Sequence, residues 1–233
     1  MEEYMAPSTS RRFFFTTYSC LYTVVTRPDE LDINTIIDRF CNNLENEVQG
    51  FLYFKWADVD LVFFPICAHE HYYAVCFSFS TKSIAVIDNS KNGDDKNIVD
   101  KYGSIPKTLK MYFCHYLTKM DYHVQCKSIK YVNIKRLKMT WRTTSNAEDC
   151  GVFIMRHIEC YNNEREQDWK CGLTIRSKGV LQRLRGKYCS TLMLSETNHE
   201  SLNNSMITSK HYEECSKNME IDIKKMIVNI KRS

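Results

Sequence analysis

Residues 145–158 read "SNAEDCGVFIMRHI". A polar stretch gives way there to an apolar run, and Cys150 stands at the join, between Asp149 and Gly151. Val152, Phe153, Ile154, Met155 and Ile158 supply the buried side of a helix predicted from about residue 150 to 162. Cys150 then occupies a helix start, where unpaired backbone N–H groups and a partial positive charge favour a thiolate over a thiol. Gly151 leaves space for another backbone to approach the sulfur, and the same N–H groups suit an oxyanion.

A thiolate needs a base that also protonates the leaving amine, and that base must be oriented. Upstream, "DLVFFPI" (60–66) is a continuously apolar run closed by proline, the mark of a buried strand. "YYAVCFSF" (72–79) and "SIAVID" (83–88) follow, joined by a short polar connection, which predicts a hairpin. His71 starts the first arm and Asp88 ends the second. A turn near 80–83 brings Asp88 within a couple of residues of His71 across the ladder, so imidazole and carboxylate can pair. With Cys150 this makes a Cys–His–Asp set in the chain order His, Asp, Cys. Each part also has a plain structural reading, as a satisfied strand histidine or a packed helix cysteine. His69 is a rival base if the strand starts early. "CAHEH" (67–71) also places Cys67, His69 and His71 on one side of a strand. Zinc motifs come in spaced ligand pairs and no second cluster follows, so neither a metal nor a cofactor is expected.

The remaining elements surround this core. Ile33, Ile36, Ile37, Phe40, Leu44 and Val48 recur at helical spacing over 33–48, with Asp32 as N-cap. "SKNGDDKN" (90–97) reads as a loop, and 104–118 as a helix with Ser104 as cap and Pro106 in its first turn. "YHVQCKSIKYVNI" (122–134) reads as a strand, and a further helix is predicted at about 179–194. From 196 the tail is polar, ending in the basic "IDIKKMIVNIKRS", which suits a solvated helix face better than a nucleic-acid contact or a nuclear signal. Runs of strands beside runs of helices indicate an α+β domain.

Composition sets limits. The 233 residues suit one domain plus a tail: a leader over 1–30, a catalytic domain over 31–195 and a tail over 196–233. A net charge of +4 is mild and does not point to nucleic acid. Eleven cysteines, an odd count with no C-x-x-C, sit largely in apolar runs, which fits a reducing, intracellular setting better than a disulfide framework. No apolar run approaches 18 residues, so no membrane span is expected. "RRFFFTTYSCLYTVV" (11–25) starts like a signal peptide but lacks a small-residue cleavage site, and reads instead as a strand or extended surface segment.

"DCGVFIMRHIECY" closely resembles the nucleophile helix of the ubiquitin-like-protein proteases, the SUMO-protease-like cysteine peptidases. "DLVFFPI", the histidine and aromatic of "EHYYAV" and the aspartate of "IAVIDNS" follow that family's order, over about 60–190 with "LQRLRGKY" included. "WRTT", "DCG" and "MRH" look most like its plant, transposon-associated branch. The resemblance implies a papain-like cysteine protease fold with a central mixed sheet flanked by helices. It implies cleavage after the Gly-Gly terminus of a ubiquitin-like modifier, with His71 as base, Asp88 as orienting acid and Cys150 as nucleophile. The modifier and its conjugates are the implied partners, for a monomer in nucleus or cytoplasm.

The sequence departs from the family at two residues, and the family's usual substrate-binding entry segment is not found before "DLVFFPI". Tyr72 stands where the family has a tryptophan roofing the Gly-Gly tunnel. Thr144 stands where it has a glutamine oxyanion donor, six residues before the cysteine; Arg142 or Asn146 are possible substitutes. Trp141 and Arg142 are further cleft candidates, with packing on the sheet as the alternative for both. Two hypotheses therefore stand, an active thiol isopeptidase and a catalytically weak relative that binds a modifier or another protein. A redox or metal protein built on the cysteines has little support from their spacing.

Overall fold

The computed structural model describes residues 11–26, 31–51, 54–146, 148–174, 178–196 and 198–230. Residues 1–10 of the leader and 231–233 of the basic tail lie outside this range. The chain divides into two compact units, one up to Leu181 and one from Gln182.

The first unit is built on a mixed five-stranded sheet in the order β1 (Arg12–Phe14), β2 (Leu61–Ala68), β3 (His71–Ser78), β4 (Ser83–Ile87) and β5 (Ile134–Arg136). β2, β3 and β4 form an antiparallel meander, and the short outer strands pair parallel with β2 and β4. The register sorts the side chains by face. Val62, Phe64 and Ile66, Tyr73, Val75 and Phe77, with Ile84 and Val86, join one core with α2 (Ile33–Gln49) and α4 (Ile105–Lys119). Leu61, Phe63, Ala74, Cys76, Ala85 and Ile87 take the opposite face. There α6 (Cys150–Cys160) packs, and Phe63 meets Tyr161 edge-on at 6.4 Å. Burial on both faces is why β2 reads as an unbroken apolar run rather than an alternation. Trp56 anchors the first core, touching the rings of Phe54, Phe113 and Tyr116. The expected α+β architecture, a mixed sheet flanked by helices, is the one observed.

Asp32 caps α2 as expected, accepting from the N–H groups of Asn34 and Thr35. Ser104 precedes α4 and makes no capping bond, while Pro106 sits in the first turn. Three expectations are corrected. Pro65 does not end β2: β1 pairs only as far as Phe63, so beyond it β2 is locally an edge strand that tolerates a missing N–H. Residues 122–134 are not one strand. They form helix α5 (His123–Lys130) and then β5, because Cys126 and Ile129 bury one side at helical spacing while Val124 faces solvent. The segment 11–25 is not a surface strand. Only Arg12–Phe14 is extended, Tyr18–Cys20 (α1) and Leu21–Val25 are helical, and Phe13, Phe15, Cys20 and Val24 enter the core. The short helix α3 (Ile98–Tyr102) closes the 90–97 loop.

The second unit holds most of α7 (Lys178–Leu194) and α8 (Ser201–Ile230), so the tail is a long helix in its backbone rather than a polar run with a short one. Asn198 joins them by donating to the Leu192 and Met193 carbonyls and accepting from the Glu200 N–H.

Candidate active site

The β2–β3 turn sets the site. Ala68 pairs with His71, leaving His69 and Glu70 as a two-residue turn with both φ positive, 50° and 58°. His71 is therefore the first residue of β3. His69 is therefore in the turn and not on a strand face with His71, although it lines the same cavity. Ala74 pairs with Ile87, so Asp88 continues β4 opposite Tyr73, two residues from His71 on the same face. His71 Nε2 donates to Asp88 Oδ1 at 2.7 Å. That bond leaves Nδ1 as the imidazole's basic nitrogen.

Asp88 is buried, and each carboxylate oxygen has its own partners. Oδ1 also accepts the Ser90 N–H at 2.8 Å. Oδ2 accepts the Tyr102 hydroxyl at 2.5 Å and pairs with Lys101 Nζ at 2.7 Å, with an Arg136 guanidinium nitrogen at 3.5 Å. Burial pushes the carboxyl pKa up, but hydrogen bonds from His71 and Tyr102 and the paired Lys101 ammonium outweigh it and hold Asp88 well below the usual carboxylate range.

Cys150 begins α6 and is buried. The helix starts on Asp149, whose carbonyl accepts the Phe153 N–H at 2.9 Å. Asn146 fixes that residue, accepting the Asp149 N–H at 3.0 Å and donating Nδ2 to its carboxylate at 2.7 Å. A Cβ on Gly151 would meet nothing within 4 Å, so the space beside this residue is open. Among the described residues Cys150 makes no direct hydrogen bond to His71; the neighbouring Tyr72 hydroxyl has its pKa pushed up by Cys67 first, then by burial and Cys150. Such contacts often tighten only when substrate binds.

The loop before α6 lies against the end of β4. Thr143 bridges Ser90, with its N–H on the Asn89 carbonyl at 2.8 Å and its own carbonyl accepting from Lys91 at 2.9 Å. This places Thr144 and Asn146 in the wall of a cavity of about 280 Å³ that they share with His71, Lys101 and Tyr102. Two cleft candidates make other contacts, of the kind the packing alternative expects. Arg142 gives its two terminal nitrogens to Asp95 at 2.5 and 2.9 Å, while its buried Nε has no hydrogen-bond partner among the described residues. Trp141 is buried, donates Nε1 to His157 Nε2 at 3.0 Å and packs edge-on against Trp169 at 5.0 Å. It supports α6 through these contacts. Tyr72 keeps 38% of its surface exposed, as a residue over an open channel would.

His157 was not singled out by sequence. Burial pulls its pKa down to about 3, with Asp88 opposing, and the neutral ring is what can accept from Trp141. A buried neutral histidine contributes its full stability above the unfolded value of about 6.5 and loses it as pH falls below that. The first unit should therefore lose about 2 kcal/mol of unfolding free energy between pH 7.5 and pH 5 from this group. Urea titrations of wild type and His157→Gln at both pH values measure it. Equal slopes in the two proteins would remove His157 from the account. Lys101, Tyr102 and Arg136 were also missed, and only Arg136, a charge inside the strand-like "NIKRL", carried a signal.

Comparison with known proteins places this geometry. Residues 13–189 match the sequence profile of the "Ulp1 protease family, C-terminal catalytic domain", a match that begins well upstream of residue 60. No curated protein matches the chain by sequence. Among solved structures, the chain is similar to the C-terminal Ulp1 protease domain in complex with Smt3, the yeast ortholog of SUMO. The TM-score is 0.50 at 14% identity, covering 76% of this chain and 66% of that one. It is likewise similar to the SUMO protease Ulp1 with its catalytic cysteine oxidised to a sulfinic acid, with TM-score 0.50, 15% identity, and 76% and 67% coverage. The chain thus spans about two thirds of the solved domains that it resembles.

Proposed function

Because the chain belongs to the Ulp1 protease family, a family of cysteine peptidases, we propose that it is a thiol peptidase or isopeptidase acting after the C-terminal Gly-Gly of a SUMO-like modifier. The observation that carries this reading is the 2.7 Å His71–Asp88 bond, with one carboxylate oxygen given to the imidazole and the other held by the fold.

In this reading Cys150 Sγ attacks the carbonyl of the last glycine and forms a tetrahedral intermediate. Backbone N–H groups at the head of α6 receive its oxyanion. His71 Nδ1 takes the thiol proton and passes it to the leaving amine, leaving a thioester on Cys150. Water, deprotonated by the same nitrogen, then releases the modifier's carboxylate and restores the thiol. Asp88 stays ionised throughout, fixes the imidazole's tautomer and stabilises the imidazolium. Tyr72 is the aromatic past which the narrow Gly-Gly tail would enter, and Gly151 leaves room for it. The modifier and its conjugates are the proposed partners, with a monomer acting in nucleus or cytoplasm. "WRTT", "DCG" and "MRH" support the plant, transposon-associated branch.

A second reading is a modifier-binding relative with weak catalysis. It is favoured by Thr144 in the glutamine position and by the commitment of Arg142 to Asp95. Turnover of a modifier precursor ending in Gly-Gly plus a short extension separates the two readings. Cleavage after Gly-Gly, lost on Gly-Gly→Ala-Ala, supports the enzyme; binding without cleavage supports the module. In the enzyme reading Thr144→Gln should raise kcat about 10- to 100-fold, since one oxyanion donor is typically worth about 100- to 1000-fold. An unchanged kcat would mean that the helix N–H groups already suffice.

A further inference from the structure

We propose that Lys101 is a positioning residue for the His71–Asp88 pair, locking Asp88 in the rotamer that presents Oδ1 to the imidazole. The inference rests on the peptidase reading for its consequence in catalysis, and on the fold alone for its geometry.

Lys101 lies thirteen residues beyond Asp88 in sequence, on α3, and keeps 15% of its side chain exposed. Its Nζ is sealed from water, and the ion pair with Asp88 Oδ2 is its one anionic contact among the described residues. Two like charges, Arg136 and Arg142, also act on it. Burying an ammonium beside two guanidiniums is costly unless it is paired, so Asp88 is what keeps Lys101 in place, and Lys101 in turn holds Asp88. The Lys101 stem is itself braced. Gly93 has φ +85°, and a Cβ there would come within 3.1 Å of Lys101 Cβ, so the loop backbone lies directly on the stem. Arg136 fastens that loop through the carbonyls of Ser90, Asn92 and Gly93. Tyr102, next in the chain, donates to the same Oδ2. The acid is thus gripped on Oδ2 by α3, while Oδ1 serves the base and the Ser90 N–H.

The charged and titratable groups facing Asp88 are His71 and Tyr73 from β3, Lys101 and Tyr102 from α3, and Arg136 from β5. Arg142 acts from the preceding loop and His157 from α6. Asp95 draws on both arginines, through Arg136 at 3.2 Å and Arg142 at 2.5 Å. That leaves Lys101 as the cation devoted to Asp88. The depressed carboxyl contributes its pairing above the usual carboxylate range, and the pairing is lost only as pH falls well below it. Removing Lys101 should move that loss to higher pH.

The test compares the full chain with Lys101→Met and Lys101→Arg, following the downfield proton resonance of the hydrogen-bonded His71 Nε2–H, assigned by its absence in His71→Ala. In Lys101→Met the resonance should shift upfield and broaden, and disappear at a higher pH on acidification. Lys101→Arg should restore it. Steady-state kinetics on a Gly-Gly precursor should show kcat lowered about 10- to 100-fold with KM unchanged. Lys101→Gln, which keeps a polar stem and drops only the charge, gives the same reading where Lys101→Met does not fold. A folded neutral variant whose resonance, acid midpoint and kcat match wild type overturns the proposal, as does one that loses stability alone. The resonance needs no turnover. An inactive wild type would therefore count against the peptidase reading and leave the Lys101 result standing.

Discussion

Cys150→Ser is expected to lose turnover of a Gly-Gly substrate by about 100,000-fold or more, the scale seen when a covalent nucleophile is removed. The serine hydroxyl is close to the thiol in size, so the buried head of α6 keeps its packing and Asn146 still fixes Asp149. What is lost is ionisation: a hydroxyl is far weaker as an acid than a thiol, and the dipole of one helix does not close that gap. Modifier affinity should be unchanged, which makes the variant a substrate trap. Stopped-flow hydrolysis and a binding isotherm on the same protein measure both. A variant with near wild-type turnover would move the nucleophile elsewhere, with Cys67, which acts on Tyr72 together with Cys150, as the first alternative.

Asp88→Asn carries the second large effect, and it should be felt twice. An amide cannot stabilise the imidazolium and can present its NH₂ to His71, which favours the wrong tautomer. Losses of about 1000- to 10,000-fold in kcat follow from this in other triads. The same change strands Lys101 and weakens the hold on Arg136, both of which face Oδ2. Removing one member of a buried ion pair typically costs about 3–5 kcal/mol, so the unfolding free energy should fall with activity. The mirrored change Tyr102→Phe removes a hydrogen bond from the same oxygen and leaves the charges in place. Its effect on both quantities should be much smaller. Activity of Asp88→Asn within about ten-fold of wild type would contradict the carboxylate's role in orienting and charging the base.

The elements that could be read from the chain alone are those whose signal is local. Ile36, Phe40, Leu44 and Val48 mark α2 by spacing, and the runs from 60 to 88 mark three strands by composition. The hairpin register follows from its turn, which is why the approach of Asp88 to His71 was open to prediction. Features decided by distant partners were not legible. Trp141 looks like a cleft aromatic until Trp169 and His157 bury it. Arg142 looks unpaired until Asp95, 47 residues earlier, takes its two terminal nitrogens. The five residues of α3 are too few to show a period, so Lys101 and Tyr102 gave no sign of converging on Asp88. The helix α5 was hidden because its valine is exposed and its buried cysteine is small.

The most direct measurement is covalent labelling by a panel of ubiquitin-like modifiers carrying a C-terminal thiol-reactive group, read by intact mass. Wild type should gain the mass of one modifier, with peptide mapping placing it on Cys150. Cys150→Ser should gain none, and His71→Ala should react far more slowly. A folded wild-type protein that takes up no modifier, or takes it up equally in Cys150→Ser, would contradict the assignment of Cys150 as the nucleophile of a modifier-directed peptidase.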